Sequence, residues 1–134
     1  MLNRGHALIA MLILLTAEMS CSPAPTPPEN LVPGQAVTRT VWKKNILFSF
    51  EGKAGEVITL RITSNASGLD PHVSLIDPEN AEEVSDDDSG EHGNSLIKDH
   101  ILKRTGEYTV IVGSDGKVQG EVEVLLTKGA SPGR

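Results

Sequence analysis

The chain has few aromatic residues and a single cysteine, and both shortages limit how it can fold. Only four of its 134 residues are aromatic: two Phe, one Trp and one Tyr. A hydrophobic core must therefore be built from aliphatic and β-branched side chains. The lone cysteine, Cys21, has no partner for a disulfide within the chain. Three of the histidines, His72, His92 and His100, lie in separate segments without the spacing of a zinc site.

The chain also lacks an excess of positive charge. It carries 12 basic and 18 acidic residues, for a net charge of −6. Nine of the acidic residues lie between Ile62 and Ile97, where there is no Lys or Arg. Nucleic-acid binding requires a basic surface, so this composition excludes that class of partner. Acidic side chains concentrated in turns predict a cation site or a polar docking face instead.

The longest apolar run is too short to span a bilayer. Ala7–Leu15 contains nine apolar residues after Arg4, whereas a transmembrane helix needs about 20. A short apolar run behind a basic residue is typical of an export signal, so residues 1–20 are predicted to be a signal peptide. Cys21 follows directly, and the junction resembles the lipobox of bacterial lipoproteins, which implies that this cysteine is acylated and becomes the new N-terminus.

The segment after the cysteine is predicted to be a tether, because five prolines lie between residues 22 and 33 and proline favours extended chain. Residues 21–34 would then hold the domain away from the membrane. Ser22, rather than Asp, follows the cysteine, which favours sorting to the outer membrane of the cell envelope. Residues 35–128 are predicted to be the folded domain and residues 129–134 a disordered tail.

From residue 35 onward, apolar residues alternate with polar ones, the period of a half-buried strand. Ile58, Leu60 and Ile62, for example, alternate with Thr59 and Arg61. Turn signals recur about every ten residues. The fold class predicted is all-β: a jelly-roll-like β-sandwich of about eight antiparallel strands in two sheets. The predicted strands are 37–42, 46–51, 57–64, 72–77, 82–85, 95–101, 107–114 and 120–127.

A series of short motifs in a fixed order resembles the bacterial pre-peptidase C-terminal domain. The motifs cover about residues 35–127, and in chain order they are Phe48-Ser49-Phe50, Ala54-Gly55-Glu56, Asp70-Pro71, Asp77-Pro78-Glu79-Asn80, Asp86-Asp87-Asp88, Ser95-Leu96-Ile97, Thr105-Gly106-Glu107-Tyr108 and Gly120-Glu121-Val122. The resemblance implies a jelly roll of accessory function, similar to the collagen-binding modules of secreted collagenases. Those modules bind calcium and extracellular polymer.

Three adjacent carboxylates, Asp86, Asp87 and Asp88, admit two interpretations. Hard cations such as Ca²⁺ take several oxygen ligands from one compact loop, so the three residues are a candidate calcium site. Aspartate also accepts hydrogen bonds from the backbone N–H groups of tight turns, which is the alternative. For Asp70-Pro71 and Asp77-Pro78 we favour turn initiation over cation binding.

Catalysis is not expected, because the chain has no Gly-x-Ser-x-Gly motif and a small aliphatic sandwich offers no deep cleft. Trp42, next to Lys43 and Lys44, is interpreted as a packing anchor, with stacking on a sugar or polymer as the alternative. The expected function is non-catalytic: an envelope lipoprotein that binds or scaffolds a protein or polysaccharide in the periplasm or at the cell surface. The alternative is an accessory subunit of a separately encoded secreted peptidase, acting as chaperone, inhibitor or substrate-binding module.

Overall fold

The computed structural model describes residues 23, 24 and 26–129, which form nine β-strands and one short turn of 3₁₀ helix. The predicted signal peptide (1–20), the lipidation site Cys21 and residues 130–134 of the predicted tail lie outside the described residues. The strands are β1 (Glu29–Asn30), β2 (Val37–Val41), β3 (Ile46–Gly52), β4 (Val57–Ser64), β5 (Pro71–Ile76), β6 (Glu82–Asp86), β7 (Ser95–Ile101), β8 (Gly106–Ser114) and β9 (Gly120–Gly129). The 3₁₀ turn is Glu91–Gly93.

The strands form two sheets whose order is that of a jelly roll. One sheet has the order β1-β3-β8-β5-β6, and the other has the order β2-β9-β4-β7. We call them the five-stranded sheet and the four-stranded sheet. All neighbours are antiparallel except β1 and β3, which are parallel. The predicted all-β sandwich is therefore confirmed, and each of the eight predicted strands is present to within two residues at either end.

The core lies between the sheets and is mainly aliphatic, as the scarcity of aromatic residues required. Leu60 on β4 and Val110 on β8 are fully buried on facing sheets, as the alternation predicted. Phe50 and Tyr108 stack within this core, with ring centroids 5.4 Å apart. The Tyr108 hydroxyl donates a hydrogen bond to the Arg104 carbonyl at 2.9 Å, so its polar end is satisfied.

The folded domain begins earlier than the sequence indicated. β1 lies inside the predicted tether, and the next residue, Leu31, is only 2% exposed. The Leu31 N–H donates to the Ser49 carbonyl at 2.8 Å. Burying a leucine side chain contributes about 1.5–3 kcal/mol, which helps to hold this segment against β3.

The interpretation of Trp42 as a packing anchor was wrong. Its side chain is 48% exposed, and the Lys43 ammonium lies 4.8 Å from the centroid of its ring. β2 ends at Val41, which is fully buried. Because successive side chains of a strand point to opposite faces, the residue after Val41 points away from the core.

Polar side-chain contacts join the edge strands of the two sheets on both open sides of the sandwich. Arg39 of β2 pairs with Glu29 of β1, and the same guanidinium donates to the Thr38 carbonyl at 2.6 Å. On the other side, His100 of β7 lies 3.0 Å from Glu83 of β6, whose side chain is 2% exposed. Inward-pointing charges on edge strands discourage pairing with other chains.

Candidate functional site

The acidic motif lies where the chain leaves β6 and crosses to β7 in the other sheet. Asp86, at the end of β6, accepts hydrogen bonds from the Leu96 N–H at 2.8 Å and the Ser89 N–H at 3.1 Å, and also from the Ser89 hydroxyl. Burial disfavours the charged form of Asp86, but these hydrogen bonds outweigh it and lower its pKa. The turn interpretation therefore holds for Asp86: its carboxylate fixes the loop that follows.

The next two carboxylates have a different environment. Asp88 is exposed, and the charges of Asp87 and Asp70 raise its pKa, with smaller contributions from burial and from Asp86. Asp70, His72, Asp87 and Asp115 line a shallow depression on the outer side of the five-stranded sheet. Asp115 forms an ion pair with Lys117 at 3.1 Å. The negative charge of Asp87 and Asp88 thus has no cationic partner among the described residues.

Within the described residues, no group of three His, Cys, Asp or Glu side chains is arranged to hold a metal ion. The three aspartates do not converge, because Asp86 turns back to bind the backbone of Ser89 and Leu96. Calcium binding by Asp86, Asp87 and Asp88 stays a prediction. Asp77 performs turn chemistry, since its carboxylate accepts from the Glu79 and Ala81 N–H groups at 2.8 and 2.9 Å.

The same connection between β6 and β7 forms one wall of a groove on the outer face of the four-stranded sheet. The floor of the groove is made of Arg61 and Thr63 of β4 and Leu96 of β7. The wall is formed by residues 89–92 and 94, and the groove encloses about 220 Å³. A second depression, lined by Asn65, Glu121 and Glu123 among others, shares Thr63 with the first. We call the two together the sheet groove.

Several hydrogen bonds hold the wall of the sheet groove in place. The Asn94 side-chain oxygen accepts from the Ser64 N–H at 2.9 Å, and its amide donates to the Glu91 carbonyl at 2.7 Å. The Gly90 N–H donates to the Asn94 carbonyl at 2.7 Å. A Cβ atom at position 90 would lie 2.6 Å from that carbonyl oxygen, so only glycine fits. The wall is therefore pre-organised before any partner binds.

The charged side chains of the sheet groove are available for binding. Arg61, Glu91 and His92 form no side-chain hydrogen bond or ion pair within the described residues, and neither do Glu121 and Glu123. The groove thus presents a cationic part at Arg61 and an acidic part at Glu121 and Glu123, with hydroxyl groups between them. Such a surface suits a polar partner that carries both signs of charge.

The groove does not contain a recognisable catalytic apparatus. In the described part of the chain, the only side-chain partner of a histidine ring is Glu83, which contacts His100. No histidine there is hydrogen-bonded to a serine or threonine hydroxyl, the pairing that activates a nucleophile. Sequence reasoning did not single out Arg61 or Asn94. The only signal at Arg61 was a charged residue at an outward position of an alternating strand, and nothing in the sequence indicated the role of Asn94.

No family model matches the chain, and none of the curated proteins matches it either. Solved structures, in contrast, do match the chain. The pre-peptidase C-terminal domain of a collagenase from Bacillus anthracis superimposes with a TM-score of 0.65 at 10% identity, covering 78% of this chain and 98% of that one. The chain has the fold of a pre-peptidase C-terminal domain. The resemblance noted in the sequence motifs is thereby confirmed for the fold.

Two other solved structures share the fold at similarly low identity. A periplasmic inhibitor of g-type lysozyme from Aeromonas hydrophila matches with a TM-score of 0.55 and 15% identity, covering 77% of this chain and all of that one. A surface-associated copper-binding protein, important in copper acquisition by Methylomicrobium album BG8, matches with a TM-score of 0.60 and 12% identity, covering 75% of this chain and 97% of that one.

Proposed function

We propose that this protein is a non-catalytic binding module of the bacterial cell envelope, anchored to the membrane through an acylated Cys21. The observation that carries the binding role is the sheet groove. It combines a wall fixed by Asn94 and Gly90 with charged side chains that have no partner among the described residues. The fixed wall lowers the conformational cost of binding, and the charged side chains can gain hydrogen bonds and ion pairs with a partner. The predicted export signal and Cys21 after it support the location in the cell envelope.

A protein is the partner that the groove favours over a polysaccharide. Sugar-binding surfaces rely on aromatic rings that stack on the sugar, and no aromatic residue lines either part of the sheet groove. Charged groups of both signs suit a protein surface, where they select orientation and partner. The Aeromonas hydrophila protein that shares the fold inhibits g-type lysozyme in the periplasm, which supports a protein partner here.

A second candidate function is accessory: inhibition of, or assistance to, a secreted hydrolase such as a separately encoded peptidase. Its support is the rigid connection 89–94, because pre-organised loops are the usual means by which inhibitors bind enzymes without a large entropic cost. Purified protein added to a g-type lysozyme and to secreted peptidases tests this directly. If the wild-type protein lowers the rate of hydrolysis by one of these enzymes and the Arg61→Glu variant does not, the accessory function is supported.

The binding role is tested by site-specific photo-cross-linking in cells that produce the full chain. A photoreactive phenylalanine replaces Glu91 in the groove wall or, as the control, Glu107 on the outer face of the five-stranded sheet. Both positions are exposed, so the photoreactive group is accessible to a partner at either one. We expect a discrete cross-linked protein from position 91 and not from position 107, and its loss with Arg61→Glu. Equal products from both positions, or none from position 91, would contradict the proposal.

A further inference from the structure

The loop between β2 and β3 carries an unusual set of exposed residues. Trp42 is the only tryptophan of the chain, and Lys43 and Lys44 follow it. All three are exposed, and the indole ring is 48% accessible with the Lys43 ammonium 4.8 Å from its centroid. Indole rings and lysines on apolar stems are the side chains that occupy the boundary between lipid and water.

The direction of β1 brings the N-terminal segment to the same corner of the sandwich. β1 is parallel to β3, with Glu29 opposite Phe48 and Asn30 opposite Ser49. The chain that precedes β1 therefore runs back toward the start of β3, which is where the loop 42–45 ends. β1 and the Trp42 loop lie on the same edge of the five-stranded sheet, because β3 is the neighbour of β1.

The length of chain between the anchor and this corner is short. Only five peptide units join Cys21 to residue 26, and a fully extended chain gains at most ~3.5 Å per residue, so the span is at most ~18 Å. A lipid on Cys21 would therefore keep the edge that bears β1 close to the headgroups, and the Trp42 loop with it. The opposite end of the sandwich, with the loops 53–56 and 102–105, would face away.

The carboxylates that follow β6 lie away from the Trp42 corner. Asp87 follows β6, which is three strands from β3 in the five-stranded sheet. At about 4.8 Å between strands, this is a separation of ~14 Å. Asp115 is nearer, but it is paired with Lys117. A tilt that lowers the edge of β1 and β3 brings Lys43 and Lys44 to the headgroups and keeps Asp87 away from them. Glu121 is nearer, opposite Thr40, but it lies on the outer face of the four-stranded sheet.

From these observations we infer that Trp42, Lys43 and Lys44 form a lipid-contacting corner, in which the indole enters the interfacial region of the bilayer and the lysines contact lipid phosphates. The inference rests on the proposed lipid anchor, which supplies the proximity. The corner adds orientation: it fixes which end of the domain faces the membrane.

A single thiol and a single indole make this testable without relying on acylation in the cell. The chain starting at Cys21 is coupled through that thiol to a maleimide lipid in vesicles of phosphatidylethanolamine with a minor fraction of phosphatidylglycerol. Trp42 emission is then recorded with and without bromine atoms on the lipid acyl chains, which quench an indole only at short range. We expect the emission to shift to the blue on coupling and to lose intensity with brominated lipid. Charge reversal by Lys43→Glu and Lys44→Glu should reduce both effects.

The matched control moves the probe to the other end of the sandwich. Trp42→Phe combined with Ile101→Trp places an indole at a position that is 51% exposed, close to the 48% of Trp42. Its emission should be unaffected by brominated lipid. Equal quenching at both positions, or none at position 42, would overturn the inference, as would a Trp42 response only to peptidoglycan or to raised protein concentration. Failure of acylation in cells would remove the anchor and leave this result intact, so the two outcomes are distinguishable.

Discussion

The free energy of unfolding should change in opposite directions when the charge of Asp86 or the charge of Asp88 is removed. In Asp86→Asn one oxygen remains and can still accept from the Leu96 and Ser89 N–H groups, but the charge that strengthens these hydrogen bonds is lost, and the new NH₂ group cannot accept from the Ser89 hydroxyl. A hydrogen bond to a charged group is worth about 1.5–3 kcal/mol, but this side chain is partly exposed and water replaces part of the loss. We expect Asp86→Asn to lower the free energy of unfolding by about 1 kcal/mol. Asp88→Asn should raise it, because the charges of Asp87 and Asp70 disfavour the ionised form of Asp88.

The pH dependence follows from the direction of each pKa shift. The pKa of Asp86 is lowered in the folded state, so its contribution is present above the unfolded value of about 3.9 and is lost as pH falls through the lower folded pKa. The pKa of Asp88 is raised, so its ionised form costs stability at neutral pH. That cost disappears as pH falls through the raised pKa toward the ordinary pKa of an aspartate, because the side chain becomes protonated. The two variants should therefore differ most at neutral pH and converge in acid.

Urea denaturation at neutral and acid pH measures both effects. For a domain of this size the free energy of unfolding changes by roughly 1–3 kcal/mol per molar urea, so Asp86→Asn should lower the midpoint by about 0.3–1 M. Asp88→Asn should raise the midpoint at neutral pH and have little effect in acid. Midpoints that move in the same direction for both variants would refute the assignment of Asp86 to the turn and of Asp88 to a repulsive environment.

Four further predictions concern the core, the acidic loop, the anchor and one sheet edge. Leu60→Ala should cost about 2–4 kcal/mol because the side chain is fully buried; Leu47→Ala, at a position that is 43% exposed, is the control and should leave the denaturant midpoint nearly unchanged. If the loop binds calcium, millimolar Ca²⁺ should raise the melting temperature and Asp87→Asn should abolish the rise; a wild-type protein without a response would favour turn chemistry alone. An acylated Cys21 predicts detergent partitioning and fatty-acid labelling, both lost with Cys21→Ser, whereas unlabelled soluble protein would count against the anchor. Arg39→Ala should expose the edge of β2 and promote self-association, detectable by sedimentation; a monomeric variant would argue against this protective role.

The strands and most of the core could be predicted from the sequence because they depend on local geometry. Alternate side chains of a strand point to opposite faces, so the apolar residues Ile58, Leu60 and Ile62 had to share one face wherever β4 lay. The lack of aromatic residues made an aliphatic core necessary. The ordered motifs also indicated the fold, because each one marks a turn or a strand boundary whose chemistry is local.

The sheet groove depends on which strands become neighbours, and that is decided over long sequence separations. Arg61 and Leu96 lie opposite each other because β4 pairs with β7, and the hydrogen bond between Ser64 and Asn94 spans 30 residues. Asp86 and Asp88 are identical side chains two residues apart, yet only Asp86 has the Leu96 N–H of β7 beside it. No local pattern distinguishes them.

The positions of Trp42 and Leu31 show the same limit at the ends of strands. The alternation of β2 stops at Val41, and a shift of one residue moves a side chain from the core to the surface. The sequence could not place Trp42, because the register is set by the pairing of β2 with β9. Leu31 is buried because β1 lies against β3, whose paired residues are 19 positions further along the chain. Composition and alternation determined a small aliphatic β-sandwich, whereas tertiary packing alone decided which polar and aromatic side chains it presents.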